Sequence, residues 1–250
     1  MKSQLQTPRS LFSPGPLRAG ASNDRKRWPW MLLAALVLVA LTVPLWDDFS
    51  TPNSLDEVAL VGDRGPGCVR VVVANDQSGS MIAFARPREQ ALAQLVEWIP
   101  QNLRSDDELA VLAFTDHVET VLAPTVATGR PPVGSLSMPG NDTLLEPVLS
   151  TVARLPRSYC RTVLMLLSDG VMSDLPNSAP TARIEILAAG IDELHLLVPG
   201  EKIDIDPQWP EIYPYAAPVR FDGNDPSKTG LVLGEVLAAV TDQHLDKKPE

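Results

Sequence analysis

Asp76, Ser78 and Ser80 stand at alternate positions directly after an apolar β-branched run, Val69-Arg70-Val71-Val72-Val73-Ala74-Asn75. A carboxylate and two hydroxyls spaced in this way are oxygen donors gathered on one turn. A second apolar run, Arg161–Leu167, stops in the same manner at Ser168-Asp169-Gly170, and Thr143 opens the helix-periodic segment between the two. Asp76, Ser78, Ser80, Thr143 and Asp169 therefore make five candidate oxygen ligands. Such a set suits a small hard cation in octahedral geometry, Mg²⁺ best and Mn²⁺ next. Three of the five are neutral hydroxyls, so the protein supplies at most two negative charges. The ion would stay electrophilic, and an incoming carboxylate could complete it.

The positioning elements follow from composition. Val is favoured in a parallel strand covered on both faces, whereas Asp, Ser and Gly belong to tight turns. The ligands thus fall just beyond the carboxyl ends of strands, where open α/β sheets keep their sites. Leu92, Leu95, Val96 and Ile99 form one face of a helix that starts near Pro87 and is expected to end at Pro100. Glu108–Phe114 and Val118–Leu122 read as a hairpin through Thr115-Asp116-His117. After a Pro/Gly-rich loop, helical spacing returns over 143–155. A helix over 181–189 capped by Gly190, a strand at 194–198, a short strand at 218–221 and a closing helix at 231–240 complete the pattern. Strands alternating with helices predict a doubly wound α/β fold, a mostly parallel sheet with helices on both faces.

These residues resemble the von Willebrand factor type A family. Its metal-ion-dependent adhesion site has an Asp-x-Ser-x-Ser motif after the first strand, a later Thr, and an Asp after the fourth strand, matched here by Asp76, Ser78, Ser80, Thr143 and Asp169. The likeness extends to Ser80-Met81, to Asp107–Phe114 and to Leu167-Ser168-Asp169-Gly170, and covers about 69–198. One departure concerns the Thr. Where the family commonly has Gly-Gly-Thr, this chain has Gly140-Asn141-Asp142-Thr143, one residue longer. Asp142 is therefore the alternative fifth ligand, and a helix N-cap is the ordinary role for either residue. The resemblance implies a non-enzymatic module that captures a partner's carboxylate through a divalent cation. An Mg²⁺-dependent phosphohydrolase using Asp76 is the enzymatic alternative. Haloacid dehalogenase-like enzymes of that kind need a second Asp where this chain has Ser78. A third reading is a structural subunit of a membrane complex in which any metal is incidental.

The ends of the chain set the compartment. Residues 1–46 carry six basic residues and one acid, residues 47–250 fifteen and thirty. The acidic part would repel phosphate, which argues against nucleic acid as a partner. Residues 1–27 read as a disordered tail. Trp28–Trp46 runs without a charge and as a helix spans about 28 Å, the thickness of a bilayer core. Arg25-Lys26-Arg27 before it and Asp47-Asp48 after it orient a single-pass anchor with the tail in the cytoplasm. Met31–Val43 would also serve as the core of a cleaved export signal, and in both cases the rest is extracytoplasmic. Residues 47–67 read as a linker, 68–242 as the folded domain and 243–250 as a tail. Cys68 and Cys160 lie at the same end of two strands, opposite the ligands, and an oxidising compartment permits their disulfide. Trp209, Tyr213 and Tyr215 follow a strand whose carboxyl end points toward the ligands, and are read either as a partner surface or as loop packing. His117, His195 and His244 lack metal-ligand spacing.

Overall fold

The computed structural model describes residues 51–128, 140 and 142–248. The expected tail 1–27 and anchor helix 28–46 lie outside the described residues. Among those described, no helix is long and apolar enough to cross a membrane. The chain runs β1 (Val58–Val61), β2 (Val69–Asp76), α1 (Ala85–Asn102), β3 (Glu108–Phe114), β4 (Val118–Val126), α2 (Glu146–Arg154), β5 (Arg161–Leu167), α3 (Ala179–Ala188), β6 (Glu193–Val198), α4 (Trp209–Ile212), β7 (Val219–Arg220), α5 (Pro226–Val240) and β8 (His244–Lys247).

The main sheet has the order β4-β3-β2-β5-β6-β7, and only the β3–β4 hairpin is antiparallel. β2 lies at its centre and is buried along its whole length, as a run of β-branched residues between two parallel neighbours requires. Its alternating side chains feed two cores. Val71 and Val73 pack with Leu92, Leu95 and Ile99 of α1 and with Leu233 and Leu237 of α5. Val72 and Ala74 pack on the other face with Val148 and Val152 of α2 and with Ala182 and Ile186 of α3. The chain leaves β2 toward β3 on one side and later returns to β5 on the other. The carboxyl ends of β2 and β5 therefore flank the point at which the strand order reverses, where such folds open a crevice.

Several boundaries differ from the sequence reading: α2 starts at Glu146 rather than 143, and α5 at Pro226 rather than 231. α1 continues through Pro100 to Asn102, and β4 runs four residues past Leu122. The expected linker and tail are also more than connections: β1 pairs antiparallel with β8. The described residues from Pro52 onward belong to one compact unit. Leu55 and Val58 are buried, the Trp98 indole N–H donates to the Val58 carbonyl at 2.8 Å, and the Leu60 N–H donates to Asn102 Oδ1 at 2.9 Å. Partners so distant in sequence leave no local signal.

The Cys68–Cys160 disulfide is formed, with the Cα atoms 4.7 Å apart. It joins the amino-terminal ends of β2 and β5, where Val69 is in register with Arg161. Beside it, Asp107 is fully buried and accepts from Arg64 at 2.5 and 2.6 Å, from the Val69 N–H at 2.8 Å and from the Arg104 N–H at 2.7 Å. This base holds β2 at the end remote from the ligands. The bridge closes a separation of 92 residues. Replacing both cysteines by Ser should therefore lower unfolding stability by about 2–5 kcal/mol in urea denaturation. Non-reducing peptide mapping of the wild-type chain should recover the two cysteines joined.

Candidate metal centre

Asp76 ends β2 and is completely buried. The Gln77 N–H donates to the Phe114 carbonyl at 2.9 Å and carries the β2–β3 ladder one residue further. The chain then turns because Asp76 Oδ1 accepts the Ser78 N–H at 2.8 Å, the local bond that Asp makes two residues on. A 3₁₀ turn, Gly79–Phe84, follows, and the Ser78 and Ser80 hydroxyls lie 3.2 Å apart. Three of the five expected donors are thus gathered by one strand end and its turn.

Asp169 comes from the neighbouring strand end and is also buried. Its Oδ1 accepts the Val171 N–H at 3.0 Å. Gly170 adopts φ +73°, and a Cβ there would lie 2.7 Å from the Leu196 side chain, so this sharp turn requires glycine. Ser168 ties the two ends together. Its hydroxyl donates to Asp76 Oδ2 at 2.6 Å while accepting the Gly170 N–H at 3.0 Å.

Thr143 reaches the same sheet edge on a separate loop. The Leu144 N–H donates to the carbonyl of Thr115, the residue after β3, at 2.9 Å, and the Ser173 N–H donates to the Thr143 carbonyl at 3.0 Å. Gly140 lies so close to the Thr115 side chain that a Cβ would collide with it. Thr143 is buried, and no hydrogen bond among the described residues uses its hydroxyl. Asp142 is exposed, and its carboxylate accepts the Thr143 N–H at 2.9 Å and the Ser173 hydroxyl. Neither residue caps α2. Asp174 does so, accepting the Leu145 and Glu146 N–H groups at 2.8 and 2.7 Å.

The electrostatics fit a cation. Burial raises the Asp76 pKa and the nearby Asp169 charge adds to this, against hydrogen bonds from Ser168 and Ser78. Neither carboxylate has an ion-pair partner among the described residues. Arg88 of α1 is buried within reach of the charges of both carboxylates; burial lowers its pKa to about 10, so it remains protonated at neutral pH. Its guanidinium is engaged by the carbonyls of Met81, Phe84 and Leu167 at 3.2, 3.3 and 3.4 Å. It pins the turn after Asp76 and makes no ion pair with either carboxylate. No cluster of three or more His, Cys, Asp or Glu side chains occurs among the described residues. The donor set here is instead two carboxylates with hydroxyls, which suits a hard cation and excludes a thiolate or imidazole site.

The sequence assigns no role to three further residues. Ser168 stood beside Asp169 without a function, and Asp174 caps a helix from far along the chain. Arg88 carried a usable signal, since it precedes Leu92 by four residues on the apolar face of α1.

The aromatic loop decides between the two readings in favour of packing. Trp209 and Tyr213 are completely buried, with ring centroids 4.6 Å apart, and the indole N–H donates to the Ala216 carbonyl at 2.9 Å. An internal acceptor lets Trp turn inward. Only Tyr215 remains partly exposed, with Arg183 over its ring at 5.2 Å. Trp209 and Tyr213 are therefore core residues and do not form a partner surface.

No family model matches the chain, and no curated protein matches its sequence. Solved structures do match. The ArnB paralog VWA2 from Sulfolobus acidocaldarius is 21% identical over 71% of this chain and 46% of its own, with a TM-score of 0.50. Proximal thread matrix protein 1 from the mussel byssus is 14% identical over 71% of this chain and 50% of its own, also at 0.50. The domain has the von Willebrand factor type A fold. The matched part spans about half the length of each of these two chains. In this type A fold the strand-end turns carrying Asp76 and Asp169 are held together by Ser168. Ser168→Ala would leave Asp76 Oδ2 without its donor and should cost about 1.5–3 kcal/mol of stability in cation-free urea unfolding.

Proposed function

We propose that this chain is a membrane-tethered, metal-dependent protein-binding module. In this reading Asp76, Ser78, Ser80, Thr143 and Asp169 hold a divalent cation, Mg²⁺ first and Mn²⁺ next, and Asp142 keeps the Thr143 loop in shape. The observation that carries the reading is the pair of buried carboxylates without an ion-pair partner, beside a hydroxyl pair 3.2 Å apart. Two buried negative charges are costly alone, and a cation between them offsets that cost. The bound ion supplies a Lewis-acidic point that a carboxylate from outside can meet. The chain's own residues orient the donors: Ser168 fixes Asp76, the Val171 N–H fixes Asp169, and Arg88 holds the 3₁₀ turn.

The partner is a protein offering an acidic side chain, and the domain faces the extracytoplasmic side on an anchor at 28–46. Metal-independent assembly through that anchor is the alternative. The phosphohydrolase reading is weaker because Ser78 stands where a second catalytic Asp is needed, and its hydroxyl contacts Ser80.

The test is capture from native membranes by the full chain in Mg²⁺ and in chelator. Capture of at least one protein should require Mg²⁺ and should be lost in Asp76→Ala and Asp169→Ala, with the circular dichroism of both variants unchanged. Partners retained equally in chelator would contradict the reading. Mg²⁺-dependent hydrolysis of p-nitrophenyl phosphate that Asp76→Ala abolishes would favour the enzyme.

A further inference from the structure

Arg88 has no exposed surface and no ion-pair partner among the described residues. Near the start of β2 the arginines do have one: Arg70 pairs with Glu108 and Arg64 with Asp107, each at 2.5 Å. A buried guanidinium without a counter-charge is costly. Its bonds to the carbonyls of Met81, Phe84 and Leu167, at 3.2, 3.3 and 3.4 Å, are longer than the roughly 2.9 Å of a charge-assisted hydrogen bond and offset only part of that cost. Those bonds do fix where the charge sits. Met81 directly follows Ser80, and Leu167 lies two residues before Asp169 and in register with Asn75, the residue before Asp76. The guanidinium is therefore seated against the backbone of both ligand-bearing strand ends. Burial lowers its pKa to about 10, and the charges of Asp76, Glu89 and Asp169 oppose that fall.

Resting on the reading of a divalent cation held by Asp76 and Asp169, we propose that Arg88 sets the charge of the centre, weakening its hold on the cation and reserving the cation's charge for an anionic ligand. With both carboxylates ionised, Asp76, Asp169 and Arg88 together carry one net negative charge. A divalent cation turns that into one net positive charge, and a single carboxylate from outside cancels it. Without Arg88 the two aspartates would neutralise the ion by themselves, and an incoming anion would leave water for a neutral site. Buried charges are weakly screened, so the guanidinium acts on ion and ligand while touching neither. A purely mechanical pin behaves differently. Its loss would loosen the turn after Asp76 and weaken the binding of ion and ligand alike, whereas loss of a charge moves the two affinities in opposite directions.

The experiment titrates the purified full chain with Mn²⁺, reading the free ion by electron paramagnetic resonance, and then adds acetate at saturating Mn²⁺, reading its binding by broadening of the methyl NMR line. Asp76→Ala supplies the background from other carboxylates. Arg88→Gln, which keeps amide donors but no charge, should bind Mn²⁺ about tenfold more tightly and acetate about tenfold more weakly than the wild type. Arg88→Met should shift both affinities in the same two directions, and Arg88→Lys, which restores the charge, should reverse both shifts. Affinities for Mn²⁺ and acetate that fall together, stay unchanged or shift singly in the neutral variants would overturn the proposal, as would unfolding of both neutral variants by circular dichroism, which assigns Arg88 to the fold alone. A wild-type chain that binds no Mn²⁺ above the Asp76→Ala background would instead overturn the cation reading, and one that binds Mn²⁺ but no acetate would overturn carboxylate capture.

Discussion

Two carboxylates buried at the ends of adjacent strands, without a paired cation among the described residues, are the constraint around which this domain is built. Burial of Asp76, with the Asp169 charge nearby, disfavours the ionised Asp76 and raises the cost of the folded state. The fold answers with neutral donors, the Ser168 hydroxyl and the N–H groups of Ser78 and Val171. It also places the Arg88 charge below, turned toward backbone carbonyls. The arrangement gives the carboxylates neutral hydrogen-bond donors but no ion-pair partner among the described residues.

Such a site needs a stiff support, because two strand ends that drift apart cannot share one ion. β2 and β5 are hydrogen-bonded along their length, joined at their far ends by Cys68–Cys160 and at their near ends by Ser168. The buried Arg64–Asp107 pair fixes the start of β2 to the turn before β3. The third approach, the Thr143 loop, is docked rather than braced. It rests on the Thr115 carbonyl and on Ser173, next to a glycine that must pass the Thr115 side chain closely.

Much of this was legible in the sequence, for local reasons. Strands buried on both faces show as apolar runs, so β2 and β5 are legible to within a residue, and the candidate donors at their ends stand out as turn residues. The β1–β8 pairing was not legible, because its two short strands lie at opposite ends of the domain and neither has a pattern of its own. The sequence offers Thr143 or Asp142 as the α2 cap, whereas the capping acceptor is Asp174, and a cap supplied from another loop leaves no trace at the helix start. Trp209 and Tyr213 show a different limit. Composition reveals an aromatic loop, but whether it turns inward depends on acceptors such as the Ala216 carbonyl.

The central claim is that the buried carboxylates and the serine hydroxyls share one divalent cation. Anomalous diffraction from crystals of the chain grown with Mn²⁺ tests it most directly. The account predicts a single strong peak between Asp76 and Asp169, bonded to the Ser78 and Ser80 hydroxyls and lost in Asp76→Ala. An empty site at saturating Mn²⁺, or a peak only at other surface carboxylates, would contradict it.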